Sequence, residues 1–203
     1  MSKKQCWQKE LTLEETREIY ESYGKQDFPA DERKPFSMIE QMWDRGCYRS
    51  YGFYETIEQE GQPEDVLRAY ALMVADHGKQ MLLLDYFAAC KETRGQGYGS
   101  VALQQLKEVC RGWKGIVIEV EDDEQPLPEM VMNQRKRRIS FYQKSGCQMT
   151  STRSYVFGVD YRIMVLPVED ETAGMDMAEK VTSIYNCMHT DEMLQKHFKI
   201  TAV

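Results

Sequence analysis

The sequence lacks any long hydrophobic run, and this excludes a membrane-spanning helix. The longest apolar stretch, Met81-Leu82-Leu83-Leu84, is stopped by Asp85, whereas a transmembrane span needs about 20 apolar residues. The basic start Met1-Ser2-Lys3-Lys4 has no apolar stretch behind it, so no signal peptide is evident. We therefore expect a cytoplasmic protein that does not contact a membrane.

Histidine is scarce and closely spaced cysteines are absent, which excludes the usual zinc and disulfide patterns. The three histidines are scattered, and the six cysteines include no Cys-x-x-Cys pair. The chain is also too long for a small secreted domain that disulfides hold together. We expect free, mostly buried thiols and no bound metal.

A surplus of positive charge is lacking as well. Lys and Arg number 26 against 33 Asp and Glu, giving a net charge of −7. Such a chain repels a phosphate backbone, so we expect no nucleic-acid partner. The same charge is compatible with a cationic substrate such as a polyamine or a lysine. At 203 residues and 42% hydrophobic composition, the chain is typical of one globular domain with a small appendage.

The hydrophobic period changes along the chain from helical to alternating and back. Thr12 is a candidate N-cap for a first helix, and Pro35 and Gly46 frame a second one. Predicted helices span residues 13–23, 35–46, 98–112 and 132–144, and predicted strands span residues 48–57, 66–75, 80–89, 115–120, 147–152 and 155–165. Two helical stretches, 177–188 and 190–198, follow in the tail. This order predicts an α/β fold with a mixed central sheet, helices on both faces and a parallel strand–helix–strand crossover in the middle.

The most informative segment is a glycine-rich turn between a buried strand and a helix. Its backbone N–H groups from Gln96 to Ser100, aided by the helix dipole, form an anion site suited to a pyrophosphate. A P-loop is excluded because Gly99-Ser100-Val101 lacks the lysine. A dinucleotide-binding fold is an alternative, since Gly95-x-Gly97-x-x-Ser100 approximates its fingerprint and Glu119 lies about 20 residues further on. Against it, four residues, 91–94, separate the strand from the glycines.

Arg94-x-x-Gly97-x-Gly99 resembles the pyrophosphate-binding signature of the GNAT superfamily of N-acetyltransferases. The segment from Arg138 to Cys147 resembles a second motif of that superfamily, although Arg138 replaces a small alanine and Cys147 an aromatic residue. With the element order, the resemblance covers residues 5–166. It implies an acyl-CoA N-acyltransferase fold with a mostly antiparallel sheet over residues 1–168, followed by a helical extension over 169–203. It also implies transfer of an acetyl group from acetyl-CoA to the amine of a small molecule or peptide.

The resemblance also implies which residues hold the coenzyme. The pyrophosphate is expected to lie on the turn, and the pantetheine arm is expected to pair with the preceding strand at Phe87, Ala88 and Ala89. The turn residues concerned are Arg94, Gly95, Gln96, Gly97, Tyr98, Gly99 and Ser100. A basic cluster that includes Arg135 and Arg138 opens the last predicted helix, where cations are unfavourable unless an anion is near. That anion is either a coenzyme phosphate or the acidic loop 121–124.

Tyr142 matches the tyrosine that family members place beside the coenzyme sulfur, so the resemblance makes it the candidate general acid. Glu119 and Glu121 lie two apart on one predicted strand, which points both side chains to the same face. Either is a candidate general base, or both are solvated at the strand's end. Asp85 is an alternative base or an exposed strand residue. Two aromatic residues, Tyr54 and Tyr86, line the acceptor pocket or belong to the core.

Two other functions remain open on the sequence. One is a catalytically silent acyl-CoA sensor that uses the tail after residue 169 for contacts. The other is the dinucleotide-binding oxidoreductase. The tail is expected to pack either on its own domain or on a second copy of the chain in a homodimer.

Overall fold

Eight strands build the central sheet of the protein. A computed structural model describes residues 6–124, 127–169 and 176–202. The strands are β1 (Trp7–Glu10), β2 (Tyr48–Gln59), β3 (Gln62–Asp76), β4 (Met81–Ala89), β5 (Gly115–Glu121), β6 (Gln148–Val156), β7 (Val159–Pro167) and β8 (Phe198–Ala202). Their order in the sheet is β1-β2-β3-β4-β5-β7-β6-β8.

Seven α-helices accompany the sheet within these residues. They are α1 (Leu13–Ile19), α2 (Lys25–Asp27), α3 (Phe36–Asp44), α4 (Tyr98–Val109), α5 (Glu129–Lys144), α6 (Met177–Met188) and α7 (Asp191–His197). A π-helical segment, Tyr20–Gly24, joins α1 to α2. The predicted N-cap is confirmed as a capping box, because the Thr12 hydroxyl accepts from the Glu15 N–H and the Glu15 carboxylate accepts from the Thr12 N–H. The second predicted helix is confirmed between Pro35 and Gly46.

The chain forms two compact units. The first consists of Met1–Val74 with Leu84–Val109, and the second of Ala75–Leu83 with Cys110–Val203. In the first unit β2 pairs with β1 and β3 in antiparallel register. The turn between β2 and β3 is shorter than predicted. Gln62 and Pro63 are not loop residues, because they pair with Gln59 and Glu58.

In the second unit β4 and β5 pair in parallel, as the predicted crossover requires. This ladder joins Met81–Leu83 to Gly115–Val117 and ends six residues before β4 itself ends. β7 then pairs antiparallel with both β5 and β6. The predicted break at residues 153–154 is wrong, since β6 continues to Val156 and the turn lies at Phe157 and Gly158. Both turn residues take positive φ, +47° and +96°, and only Gly158 adopts it without strain.

The tail contains a strand that the sequence pattern does not predict. β8 pairs antiparallel with β6 from Thr152 to Val156, so the extension is not helical alone. α6 lies at the predicted place and buries Val181, Ile184 and Tyr185. The boundary between residues 168 and 169 stays a prediction, and residues 170–175 beside it lie outside the described part of the chain.

The predicted fold class is confirmed: the protein is α/β, with a mixed and mostly antiparallel sheet and helices packed on it. In the part of the chain that the structure describes, no helix is long and apolar enough to cross a membrane.

Candidate active site

The glycine-rich turn follows β4 in the first unit. Cys90 donates its N–H to the Arg68 carbonyl at 2.9 Å, which fixes the end of β4 to β3. Thr93 is buried in the short 3₁₀ turn that follows, and its hydroxyl donates to the Cys90 carbonyl at 2.9 Å. The turn over residues 94–97 then leads directly into α4, which begins at Tyr98.

Two glycines of this turn have conformations that other residues rarely adopt. Gly95 has φ +76° and Gly97 has φ +93°, and a Cβ at either position would meet no atom within 4 Å. The N–H groups of Gly99 and Ser100 lie in the first turn of α4, where no intrahelical acceptor exists. One N–H group of the predicted amide cradle is not unpaired. The Gln96 N–H is satisfied inside the turn, because it donates to the Thr93 carbonyl at 3.2 Å.

Arg94 is anchored by an acidic residue that sequence reasoning missed. Its guanidinium lies 2.5 Å from a carboxylate oxygen of Asp27, whose side chain is 4% exposed. Asp27 also accepts a hydrogen bond of 2.9 Å from the Tyr70 hydroxyl. Burial and the neighbouring Asp27 carboxylate raise the pKa of Tyr70 well above its ordinary value, so its proton stays available for that bond. The carboxylate therefore connects the segment after α1 to the first residue of the turn.

The end of β4, which precedes the turn, is partly exposed to solvent. Phe87, Ala88 and Ala89 are half-buried, and the Ala89 carbonyl accepts from Arg94 Nε at 3.3 Å. The structure thus brings the predicted pantetheine segment and the predicted pyrophosphate turn together in one unit.

Asp85 is neither an exposed residue nor an unpaired base. Its side chain is 4% exposed and accepts from Lys34 Nζ at 2.5 Å and from the Tyr48 hydroxyl at 2.7 Å. Burial and the Asp85 charge raise the pKa of Tyr48 well above its ordinary value. Asp85 is therefore a buried carboxylate neutralised by the half-buried Lys34, and it ties β4 to neighbouring elements of the first unit.

The two candidate pocket aromatics occupy packing positions. Tyr86 is buried, lies edge-on to Tyr20 and Phe28, and accepts from the Lys34 N–H at 2.8 Å. Tyr54 is half-buried and stacks on Trp7 with 4.8 Å between ring centroids. These contacts favour the core interpretation for both residues.

In the second unit the basic cluster lies at a different position along its helix from the one predicted. α5 begins at Glu129 after Pro128, so Arg135 and Arg138 lie in the middle of the helix and not at its first turn. The dipole argument for a bound anion therefore fails. Both arginines contact Glu121 instead, Arg135 at 3.3 Å and Arg138 at 2.7 Å.

Arginines also neutralise the acidic loop that follows β5. Arg153 binds Asp122 and Glu124, both at 2.5 Å, and Arg162 binds Asp123 at 2.8 Å. These ion pairs, with those of Glu121, favour the counter-charge interpretation of the basic cluster. Glu121 is thus held between two cations, which leaves Glu119 as the stronger candidate base.

Glu119 is held by two hydroxyl groups. Ser154 donates to Oε1 at 3.0 Å and Tyr185 donates to Oε2 at 2.7 Å. Sequence reasoning missed both donors, because they lie 35 and 66 residues away along the chain and no local pattern marks them.

Tyr142 lies on α5 and is 8% exposed. Burial raises the pKa of Tyr142 well above its ordinary value, although the nearby Arg138 charge opposes the shift. The Tyr142 carbonyl accepts from the Cys147 N–H at 3.0 Å. This bond holds the last residue of the second motif against Tyr142. Burial also raises the pKa of the Cys147 thiol to about 12, and burial with the Asp27 charge does the same for Cys90 in the first unit.

Within residues 6–124, 127–169 and 176–202, no group of three or more His, Cys, Asp or Glu side chains is placed to hold a metal ion.

Comparison with protein families decides the assignment. Residues 14–146 match the model of the acetyltransferase (GNAT) family, and this range contains the glycine turn and Tyr142. The chain belongs to the GNAT family. The dinucleotide-binding alternative loses its basis, because the fold and the sheet topology are those of this family. No curated protein is similar enough in sequence to serve as a relative.

Solved structures of GNAT acetyltransferases share the fold. A putative GNAT acetyltransferase from Bacteroides thetaiotaomicron gives a TM-score of 0.60 at 22% identity, covering 92% of this chain and 98% of its own. The ribosomal-protein-S18-alanine N-acetyltransferase from Escherichia coli gives 0.55 at 17% identity, covering 84% and 99%. The spermidine/spermine N-acetyltransferase from Vibrio cholerae gives 0.54 at 12% identity, covering 81% and 95%. At these sequence identities the similarity shows a shared fold and nothing further.

Proposed function

We propose that this GNAT protein is an N-acetyltransferase that uses acetyl-CoA as donor and a primary amine as acceptor. The observation that carries the proposal is the turn at the start of α4. Gly95 and Gly97 adopt positive φ with open space beside them, and the N–H groups of Gly99 and Ser100 follow in the first helical turn. An anion such as a pyrophosphate is stabilised at such a helix start.

The residues of the first unit fit the coenzyme. The turn from Arg94 to Ser100 would hold the pyrophosphate, although the Gln96 amide is already used within the turn. The β4 segment Phe87 to Ala89 would pair with the pantetheine arm, and its alanines permit close approach. Arg94 would contribute through the position of its backbone, because Asp27 already binds its guanidinium. When bound, the coenzyme supplies the activated acetyl thioester.

The residues of the second unit fit the proton transfers. A primary amine has a pKa of about 10 and must lose a proton to attack a carbonyl carbon. Glu119 would accept that proton, directly or through water. The C–N bond forms, the C–S bond breaks, and the departing thiolate takes a proton from the Tyr142 hydroxyl. Because burial raises the pKa of Tyr142, the hydroxyl is protonated at neutral pH and able to donate.

The acceptor class is proposed from charge and from the fold's relatives. The neighbours named above include one enzyme for an alanine amine and one for spermidine and spermine. The net charge of −7 favours a cationic amine over an anionic one and disfavours nucleic acid. A homodimer remains a prediction.

The proposal is tested by the release of the coenzyme thiol. Acetyl-CoA is incubated with the protein and with panels of polyamines, aminoglycosides, amino acids and peptides, and product mass is measured in parallel. We expect amine-dependent thiol release with a mass increase of one acetyl group. Tight binding of acetyl-CoA with no turnover on any amine would favour the silent sensor instead.

Substitutions at Asp85 and Glu119 are expected to distinguish a structural carboxylate from a catalytic one. We expect Asp85→Asn to lower the free energy of unfolding by about 1–3 kcal/mol, because Lys34 loses its buried counter-charge. We expect Glu119→Gln to lower kcat by about 100-fold, as removal of a general base does. Urea unfolding and steady-state kinetics measure the two effects. A large loss of kcat in a stable Asp85→Asn protein would contradict this division of roles.

A further inference from the structure

Glu119 lies at the junction between β5 and the C-terminal tail. Its Oε1 accepts from Ser154 on β6 at 3.0 Å, and its Oε2 accepts from Tyr185 on α6 at 2.7 Å. Ser154 and Tyr185 are each 4% exposed. Each carboxylate oxygen therefore has a buried hydroxyl donor, and each donor comes from a different element.

Tyr185 is itself firmly placed. Its ring stacks on Phe198 of β8 with 4.5 Å between centroids, and β8 is hydrogen-bonded to β6, the strand that carries Ser154. The helix around it is anchored by Val181 and Ile184, which are almost completely buried. The side chain of Asp176 caps the helix by accepting from the Glu179 N–H at 3.1 Å. A hydroxyl on so constrained a ring has little freedom to leave its acceptor.

Both donors lie beyond residue 146, where the family match ends. We propose that the C-terminal helix α6 serves catalysis by positioning the general base: Tyr185, together with Ser154, fixes the orientation of the Glu119 carboxylate and stabilises its charged form. The inference rests on the proposed function, since it assigns Glu119 the role of base. Tyr185 acts through Glu119 and is a positioning residue.

Hydrogen bonds donated to a carboxylate favour its ionised form. Other charged groups on the elements around β5 have partners of their own: Arg135 and Arg138 with Glu121, Arg153 with Asp122 and Glu124, and Arg162 with Asp123. A titratable group next to this arrangement is His189, whose ring is stacked on that of Tyr185 with 6.1 Å between centroids. Loss of the Tyr185 hydroxyl should therefore act on Glu119 itself.

The test is the pH profile of kcat/KM for the wild-type protein and for Tyr185→Phe, which keeps the stacked ring. A base must be deprotonated to work, so kcat/KM falls on the acidic side. We expect the acidic limb to move up by about one pH unit, since a bond to a charged group is worth roughly that much. At pH values below the acidic limb, kcat/KM of Tyr185→Phe should therefore be up to about tenfold lower than that of the wild type. At high pH the two values should converge. Tyr155→Phe on the same strand as Ser154 is the matched control and should leave the limb in place, as should His189→Gln.

A second readout does not depend on turnover. The carboxyl carbon of Glu119 is followed by NMR titration of protein labelled with ¹³C-glutamate, and the Glu119→Gln spectrum gives its assignment. Tyr185→Phe should raise the titration midpoint of this carbon by about one unit. An unchanged midpoint together with an unchanged kinetic limb overturns the inference. If the midpoint moves while Glu119→Gln retains full kcat, the positioning stands and the proposed base does not.

Discussion

Replacement of Tyr142 by phenylalanine is expected to lower kcat about 100- to 1,000-fold while acetyl-CoA binding changes less than about threefold. The substitution removes only the hydroxyl from a side chain that is 8% exposed, so the packing of α5 is retained. The expected loss is large because a thiolate that leaves without a proton is a poorer leaving group in the transition state. Single-turnover thiol release and calorimetry with acetyl-CoA measure the two quantities separately.

The pH dependence sharpens this expectation. Since burial raises the pKa of Tyr142 above its ordinary value near 10, the acid keeps its proton throughout the neutral and mildly alkaline range. The wild-type rate should show no alkaline fall caused by this group below about pH 10. Tyr51→Phe, at another buried tyrosine, is the control and should keep full activity. A Tyr142→Phe protein with wild-type kcat would show that another group, or water, protonates the sulfur.

Replacement of Gly97 by valine is expected to weaken acetyl-CoA binding at least about 100-fold, which corresponds to roughly 2.7 kcal/mol. Gly97 has φ +93°, which a β-branched residue adopts only with strain, and its Cβ would enter open space beside the turn. In the proposed complex that space belongs to the phosphoryl oxygens. Isothermal titration calorimetry gives the dissociation constant directly.

Gly61 offers a matched control for the backbone cost. It has φ +78° in the turn between β2 and β3, and a Cβ there also meets nothing within 4 Å. Gly61→Val should reduce stability about as much as Gly97→Val but leave the dissociation constant unchanged. Equal weakening of binding by both variants would mean that general destabilisation, and not the turn, is responsible.

Much of the fold is predictable because its signals are local. The capping box at Thr12 and the helix between Pro35 and Gly46 depend on residues a few positions apart, and both are confirmed. The errors arise where local signals compete or are weak. Phe157 adopts a positive φ, and a phenylalanine in the sequence gives no signal for that conformation. β8 directly follows α7 without a glycine or proline between them, so its five residues look like the end of a helix.

The candidate site was predictable only where a motif spans adjacent residues. The turn from Arg94 to Ser100 and the Tyr142 segment were found in this way, and their roles in catalysis remain predictions. What the pattern could not supply is the partner of each charge. Asp85 meets Lys34 across 51 residues, and Glu119 meets Tyr185 across 66. Such pairs depend on tertiary packing, so a lone carboxylate in the sequence carries no sign of whether it is neutralised.

Two of the three buried thiols, Cys90 and Cys147, give each unit of the chain its own reporter of local unfolding. Cys90 lies beside the turn in the first unit and Cys147 at the foot of β6 in the second, and with a pKa of about 12 neither forms much thiolate at neutral pH. Disulfide reagents attack thiolates, so both sulfurs stay silent in the native protein and react once their surroundings open. The reagent that detects the released coenzyme thiol can therefore also follow local unfolding. Mass spectrometry of the labelled peptides then tells which unit opened.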